Sequence, residues 1–148
     1  MPSSASTQPV LSVRHLRTYY DTDEGLVRAV DDISFDVPAT GSVGIAGESG
    51  SGKTQTALSI LGLIDGVPGI VGGEIRINEK NLLAGLDTFC SVREKEGFIT
   101  ITKDVSRWRA FYRKRRAHLR GEKIAMIFQE PKSALIPYYT VGEHMRET

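Results

Sequence analysis

Val27, Ala29, Asp31, Ile33, Phe35 and Val37 recur at every second position. That is the period of a strand with one face buried. Upstream, Leu11, Val13 and Leu16 predict a strand ending near Tyr19 and Tyr20, and the polar cluster at 21–25 predicts a turn joining the two. Asp31 interrupts the apolar face of the second strand, which suits a sheet edge or a bulge. Residues 42–46, Ser-Val-Gly-Ile-Ala, read as a short buried strand. Residues 54–64 read as a helix with Ala57, Leu58, Leu61 and Ile64 along one side, ended by the Asp-Gly-Val-Pro-Gly stretch at 65–69. Ile75 and Ile77 then share one face of a strand at 72–78. The pattern weakens between 86 and 106, where only 98–102 reads as a strand. A helix is predicted at 107–120, and the apolar run at 123–128 reads as a buried strand or its approach. Pro131 and Pro137 bracket a loop, and Thr140 reads as the N-cap of a helix starting at Val141, with Glu143 in its first turn. Residues 1–9 form a loose Ser/Thr/Pro-rich tail, leaving 10–148 as one α/β unit in which an antiparallel piece lies beside a parallel sheet.

Chemistry enters between the predicted strand at 42–46 and the helix that follows. Gly47-Glu48-Ser49-Gly50-Ser51-Gly52-Lys53-Thr54 matches the P-loop pattern at every fixed position, in a strand-to-helix context. Glycines let backbone N–H groups converge on phosphate oxygens with no Cβ in the way. The helix directs its partially positive end at the same anion. In such a loop Lys53 carries a full charge to the β- and γ-phosphates of ATP or GTP, and the Thr54 hydroxyl ligates Mg²⁺.

Composition narrows the surroundings. The chain has 148 residues, 40% hydrophobic and 25% charged, a globular rather than a disordered balance. Its net charge of +1 gives no global field toward nucleic acid or membrane. Cys90 is the only cysteine, so an intrachain disulfide is excluded and a reducing compartment is expected. The first residues lack the basic start and apolar core of a signal peptide, and no apolar run reaches the length of a membrane span.

The order of these pieces resembles the nucleotide-binding subunit of ABC transporters, and more narrowly the oligopeptide/dipeptide importers. Ala29-Val30-Asp31-Asp32-Ile33-Ser34-Phe35, Gly44 through Thr54, Gly72-Gly73-Glu74-Ile75, Arg120 through Pro131 and Thr140-Val141-Gly142-Glu143 carry the likeness. The resemblance implies that Tyr20 stacks on adenine, with Tyr19 as the alternative one position away. It implies that Gln129, in the Q-loop, helps hold Mg²⁺ and the attacking water and senses a membrane partner. A neutral amide makes and breaks such a contact more cheaply than a carboxylate. Residues 124–130 also imitate a Walker B strand, but with Gln where the Mg²⁺-binding Asp belongs. Implied partners are transmembrane permease subunits and a second ATP-binding subunit, with the protein peripheral on the cytoplasmic face of the membrane. The family's signature, Walker B, D-loop and switch-histidine motifs do not occur in these residues, and His144 lies too early to be the switch histidine. The expected fold is therefore a P-loop ATPase core with an N-terminal antiparallel β piece, truncated before the helical subdomain and the Walker B strand. Further sheet neighbours of 42–46 would follow residue 148. Such a chain is expected to bind nucleotide weakly and hydrolyse it negligibly by itself. Ile136 stands where the subfamily has Asn, and 86–119 is longer and more divergent than usual.

Arg107, Arg109, Arg113, Lys114, Arg115, Arg116 and Arg120 are interleaved with Trp108, Phe111, Tyr112 and His118, with no acid among them. Three readings stand: nucleic-acid contact by phosphate binding and stacking, a surface toward anionic lipid, or a solvated helix docked through Trp108, Tyr112 and Leu119. The first would make the chain a soluble P-loop NTPase acting on nucleic acid, the alternative to a subunit of a peptide importer.

Overall fold

The computed structural model describes residues 8–64, 66–116, 123–129, 136 and 138–146. Strand β1 (Leu11–Thr22) and strand β2 (Gly25–Val37) form the expected hairpin, joined at Asp23 and Glu24. Strand β3 (Pro68–Ile77) pairs with the other edge of β1, and the short β4 (Lys80–Asn81) follows, giving an antiparallel sheet of order β2-β1-β3-β4.

The central strand does not keep a strict two-residue period. Val13 and Leu16 are three positions apart, yet both are fully buried. The register of β1 shifts between them, and His15 takes a positive φ of 48°. This bulge turns Leu16 back to the core side. On β2 the matching irregularity is Asp32, at φ 57°, between the Thr18↔Val30 and Leu16↔Ile33 pairs. Asp31, the acidic interruption of the β2 pattern, stands next to this irregularity on an edge strand, and before it the buried position is Val30, with Val27 46% exposed against the predicted face. His15 Nδ1 lies 2.8 Å from Asp32 Oδ1. That contact, with Arg17 nearby, holds the Asp32 carboxyl below its usual range. Gly73, at φ 101°, faces the bulge from β3.

Helix α1 (Lys53–Leu61) packs on the sheet through Thr56, Ser59, Ile60 and Leu61. Of the predicted face, Leu61 is buried and Ile64 packs against the core, whereas Ala57 and Leu58 are half-buried and Thr56, Ser59 and Ile60 take the inner side; the helix ends three residues before its predicted end. Gly62 adopts the left-handed conformation and donates its N–H back to the helix, which stops it there. The burial of polar Ser59 is made possible by a buried 2.8 Å hydrogen bond with Thr18.

A second antiparallel hairpin, β5 (Cys90–Lys95) and β6 (Phe98–Lys103), occupies the region of weak periodicity. Its turn residues Glu96 and Gly97 both have positive φ, the geometry that matches strand twist in a two-residue loop. Helix α2 (Val105–Arg116) follows, starting two residues before its predicted beginning. Trp108 and Tyr112 are buried against the body, with Phe89 and Phe111 completing an aromatic cluster. Helix α3 (Val141–His144) has the predicted Thr140 cap, closed as a reciprocal box with Glu143. Tail residues 1–7, Asp65, the segment 117–122 with His118, Leu119 and Arg120, residues 130–135, Pro137 and residues 147–148 fall outside the described residues.

Two predicted strands are absent. Residues 42–46 are exposed coil, with Val43 and Ile45 43% and 51% exposed. The run 123–128 shows only a single bridge at Ile124, and Ile127 is 90% exposed. A strand exists by virtue of lateral hydrogen-bond partners. Among the described residues every strand is antiparallel, and none pairs with 42–46. The parallel part of the expected sheet is therefore not seen among them.

Lys103, at the end of β6, donates from Nζ to the carbonyls of Pro68 and Ile70, tying the hairpin to β3. Burial pulls its pKa down to about 8, opposed by Cys90 and aided by Arg109. Burial pushes the Cys90 thiol up. A lysine depressed in the folded state binds fewer protons there than when unfolded between pH 8 and its ordinary 10.5. Its contribution to stability therefore improves as pH rises through that window, while Cys90 acts in the opposite sense above its ordinary value. Subtracting the Lys103→Met profile isolates the lysine. The expected result is that the thermal midpoint of the native chain gains on that of the variant between pH 8 and 10. A constant difference across that range would contradict it.

Candidate phosphate-binding loop

The loop joins an exposed approach, 42–48, to the N-terminus of α1. Gly50 and Gly52 take φ of 83° and 87°, which coil the backbone tightly ahead of the helix. At Gly52 no side chain is tolerated, because a Cβ would fall 2.3 Å from the Ala29 carbonyl oxygen on β2. At Gly47 a Cβ would fall 2.6 Å from Ser51 Oγ. The glycines thus set the loop directly against β2 and against itself. Ser51 N donates to the Glu48 carbonyl at 3.2 Å.

Lys53 folds back over this ring. Its Nζ donates to the carbonyls of Gly47 and Glu48 at 2.8 and 2.6 Å, and reaches Ser51 Oγ at 3.3 Å. The ammonium therefore sits at the mouth of the loop, one side spent on carbonyls. No side chain caps the α1 N-terminus, where Gly52 is the N-cap residue. Ser49 and Thr54 are exposed beside it. The arrangement is cationic, rich in backbone N–H and open to solvent, a setting that suits an anion.

Tyr20 is linked to the same helix. Its hydroxyl donates to Gln55 Oε1 at 2.6 Å, one residue beyond Thr54. Its ring lies so close to the chain at Gly66 that a Cβ there would come within 2.2 Å of Cδ1. The neighbouring Tyr19 points the other way. It is 3% exposed and its hydroxyl donates to Asp31. Burial and that carboxylate push its pKa up to about 12. Of the two tyrosines, Tyr19 belongs to the core and Tyr20 to the loop side. Gln129 is exposed in a bend, and no described hydrogen bond joins it to the loop. Gln55 and the Ala29 carbonyl are loop neighbours that the motif did not point to.

A family model described as ABC transporter matches residues 30–148, which contain this loop. The chain belongs to the ABC transporter family. Among curated relatives, the Oligopeptide transport ATP-binding protein OppD of Escherichia coli is 36% identical over 138 residues, covering 93% of this chain and 33% of the relative. A putative peptide import ATP-binding protein of Brucella abortus is 35% identical over 147 residues, covering 99% of this chain and 36% of the relative. Oligopeptide transport ATP-binding protein AppD of Bacillus subtilis is 32% identical over 140 residues, covering 93% and 34%. The chain thus spans about a third of the length of these ABC relatives. The expected resemblance to the peptide-importing branch is met by these names.

In this ABC chain the basic helix α2 is docked rather than free. Trp108 and Tyr112 are buried, Arg115 donates to the Ala84 carbonyl at 2.8 Å, and its guanidinium lies 4.6 Å from the Phe111 ring centre. The aromatics that a stacking surface for bases would need are thus largely committed to the interior. No helix among the described residues is long and apolar enough to cross a membrane.

Proposed function

We propose that this chain holds the nucleotide-binding part of an ATP-binding subunit of a peptide importer. The observation that carries the reading is the glycine loop closed by Lys53 against the Gly47 and Glu48 carbonyls, at an uncapped helix N-terminus. The residues present fit a triphosphate. A Cβ at Gly47 would meet Ser51 Oγ and one at Gly52 the Ala29 carbonyl; the Ser51 N–H is given to the Glu48 carbonyl, and the other N–H groups at the uncapped helix start are left to an anion. Gly47, Glu48, Ser49, Gly50, Ser51 and Gly52 would cradle the phosphates through their backbone. Lys53 would exchange carbonyl contacts for phosphate oxygens, and Thr54, with Gln129 approaching from its exposed bend, would hold Mg²⁺. Bound MgATP would supply the phosphoanhydride whose cleavage powers transport.

Relatives named for oligopeptide and peptide import support a peptide cargo; membrane permease subunits and a second ATP-binding subunit as partners, and a peripheral position on the cytoplasmic face of the membrane, complete the proposal. Within the chain, the proposed organisation is a tail at 1–9 and a partial ABC-type domain at 10–148, with the Q-loop around 129 and a variable basic segment at 86–119. In the complete subunit the activity is ATP hydrolysis. The 148 residues by themselves would bind nucleotide weakly with negligible turnover, since they carry one Mg²⁺ hydroxyl and no Walker B carboxylate. The exposed Arg107, Arg109, Arg113 and Lys114 suit an anionic membrane surface better than nucleic acid, because the interleaved rings are buried.

MgATP binding by equilibrium dialysis tests the loop, and the chain's failure to bind at millimolar nucleotide would overturn the reading. Tyr20 gives a separate check on base stacking. Tyr20→Ala should weaken MgATP binding by about five- to tenfold, the worth of one aromatic contact, while Tyr20→Phe stays within about twofold. Equal losses in both variants would assign Tyr20 to its Gln55 bond instead of to adenine.

A further inference from the structure

The small net charge of the chain hides a segregation. Of its 19 basic and 18 acidic residues, nine basic and three acidic lie in 90–116, leaving ten and fifteen elsewhere. A basic segment in an otherwise acidic chain is the pattern of a protein that meets a polyanionic surface. The β5–β6 hairpin holds the first part of this segment in an ordered frame. Its register pairs Ser91 with Thr102, Arg93 with Thr100 and Lys95 with Phe98, so these six share one face of the hairpin. All six are exposed, Phe98 at 78%. The opposite face packs on the body through Cys90, Ile99, Ile101 and Lys103. Glu94 belongs to that inner face, as the partner of Ile99. Glu96 stands in the turn, 3.9 Å from Lys95, with both side chains at least 80% exposed, a pairing that neutralises little. The outer face therefore presents two cations, three hydroxyls and one aromatic ring, and no carboxylate.

We propose that this outer face lies flat on an anionic lipid bilayer, with Phe98 entering the headgroup region and Arg93 and Lys95 at the lipid phosphates. The inference rests on the membrane-peripheral position proposed above and deepens it by naming the element that makes contact. Interfacial binding combines buried apolar area with attraction to anionic lipid, and this face supplies both. Each Lys or Arg brought near such a surface adds to the attraction. The Ser91, Thr100 and Thr102 hydroxyls can donate to headgroup oxygens between the two cations and the ring. A nucleic-acid strand suits the face less well, because its bases stack on aromatic rings in series and only Phe98 is offered.

Sedimentation of the full chain with lipid vesicles tests the contact. Vesicles of phosphatidylglycerol and phosphatidylcholine in equal parts should bind it at least about tenfold more tightly than vesicles of phosphatidylcholine alone. Phe98→Ser should weaken binding to the anionic vesicles about five- to tenfold, and Arg93→Gln with Lys95→Gln about tenfold or more. These side chains are exposed, so each variant should keep the native melt. Val141→Ser is the control, at a position 72% exposed but outside the basic segment, and should bind like the native chain. Phe98→Trp adds an exposed indole to the buried Trp108, and its emission should move to the blue on the anionic vesicles alone. Equal binding to both vesicles, native-like binding by Phe98→Ser, or no blue shift would overturn the hairpin contact. Should Arg113→Gln with Lys114→Gln still weaken vesicle binding in that case, the membrane position stands through α2 and only the hairpin falls. No binding to either vesicle would overturn both. Displacement from the vesicles by a single-stranded oligonucleotide, lost in Phe98→Ser, would assign the face to nucleic acid and overturn the lipid contact.

Discussion

Lys53→Ala raises the dissociation constant for MgATP by about 100-fold or more. A charged hydrogen bond to phosphate contributes about 1.5–3 kcal/mol, and the larger figure alone corresponds to two decades in affinity. The structure adds a second reason. The Nζ of Lys53 touches the carbonyls of Gly47 and Glu48 and the Ser51 hydroxyl. Its removal takes away the loop's own cation and the contacts that hold the ring closed, so the nest becomes both less attractive and less organised. Stability should hardly change, because the bonds lost are at a solvent-exposed loop and not in the core. Equilibrium dialysis alongside a thermal melt distinguishes the cases. A lowered melting point with matching loss of binding would point to misfolding. Unaltered MgATP uptake in a variant with a native melt would remove Lys53, and with it the loop, from the nucleotide site.

Gly73→Ala should be strongly destabilising, at about 3–5 kcal/mol. A Cβ at Gly73 would fall 2.6 Å from both the His15 carbonyl oxygen and Leu16 Cα, and 2.7 Å from the Arg14 carbonyl oxygen. All three atoms are backbone of the central strand, at the bulge that returns Leu16 to the core. None can swing aside as a side-chain tip would. The φ of 101° adds conformational strain that an L-residue seldom tolerates. Gly97→Ala is the matched control. Its φ is also positive, at 82°, but nothing lies within 4 Å of the added carbon. It should therefore cost only about 1 kcal/mol of strain. Urea unfolding of both variants measures the difference. If the two substitutions cost the same, the close approach of β3 to the bulge is wrong.

Much of this could be read along the chain, and the reasons are local. The β1–β2 hairpin announces itself through recurring apolar residues on either side of the polar cluster at 21–25. The loop at 47–54 has its own spacing, and the Thr140–Glu143 box needs only residues three apart. The β5–β6 hairpin was half visible. The positive-φ pair Glu96-Gly97 was a usable turn signal, but Cys90–Lys95 is almost entirely exposed and so has no apolar rhythm to detect. Residues 42–46 and 123–128 erred in the other direction. Their apolar runs look like buried strands, yet lateral pairing is a property of neighbours that a run of residues does not contain.

Local order therefore came from the amino-acid sequence: which stretches alternate, which turn, where a helix starts, and that closely spaced glycines precede a lysine at 47–53. These are set by φ/ψ preferences and by contacts a few residues apart. Tertiary structure alone decided which tyrosine bonds to α1, which helix face hides Ser59 against Thr18, and why Gly73 admits no side chain. It also set Lys103 against the β3 carbonyls, with its Nζ 5.6 Å from the Trp108 ring centre of α2. Each of these depends on residues 30 or more positions apart in most cases, such as Tyr20 with Gln55, Thr18 with Ser59 and Lys103 with Pro68. The physical reason is that burial and close approach belong to the packed chain, and no periodicity in one segment encodes the atom that will meet it from another.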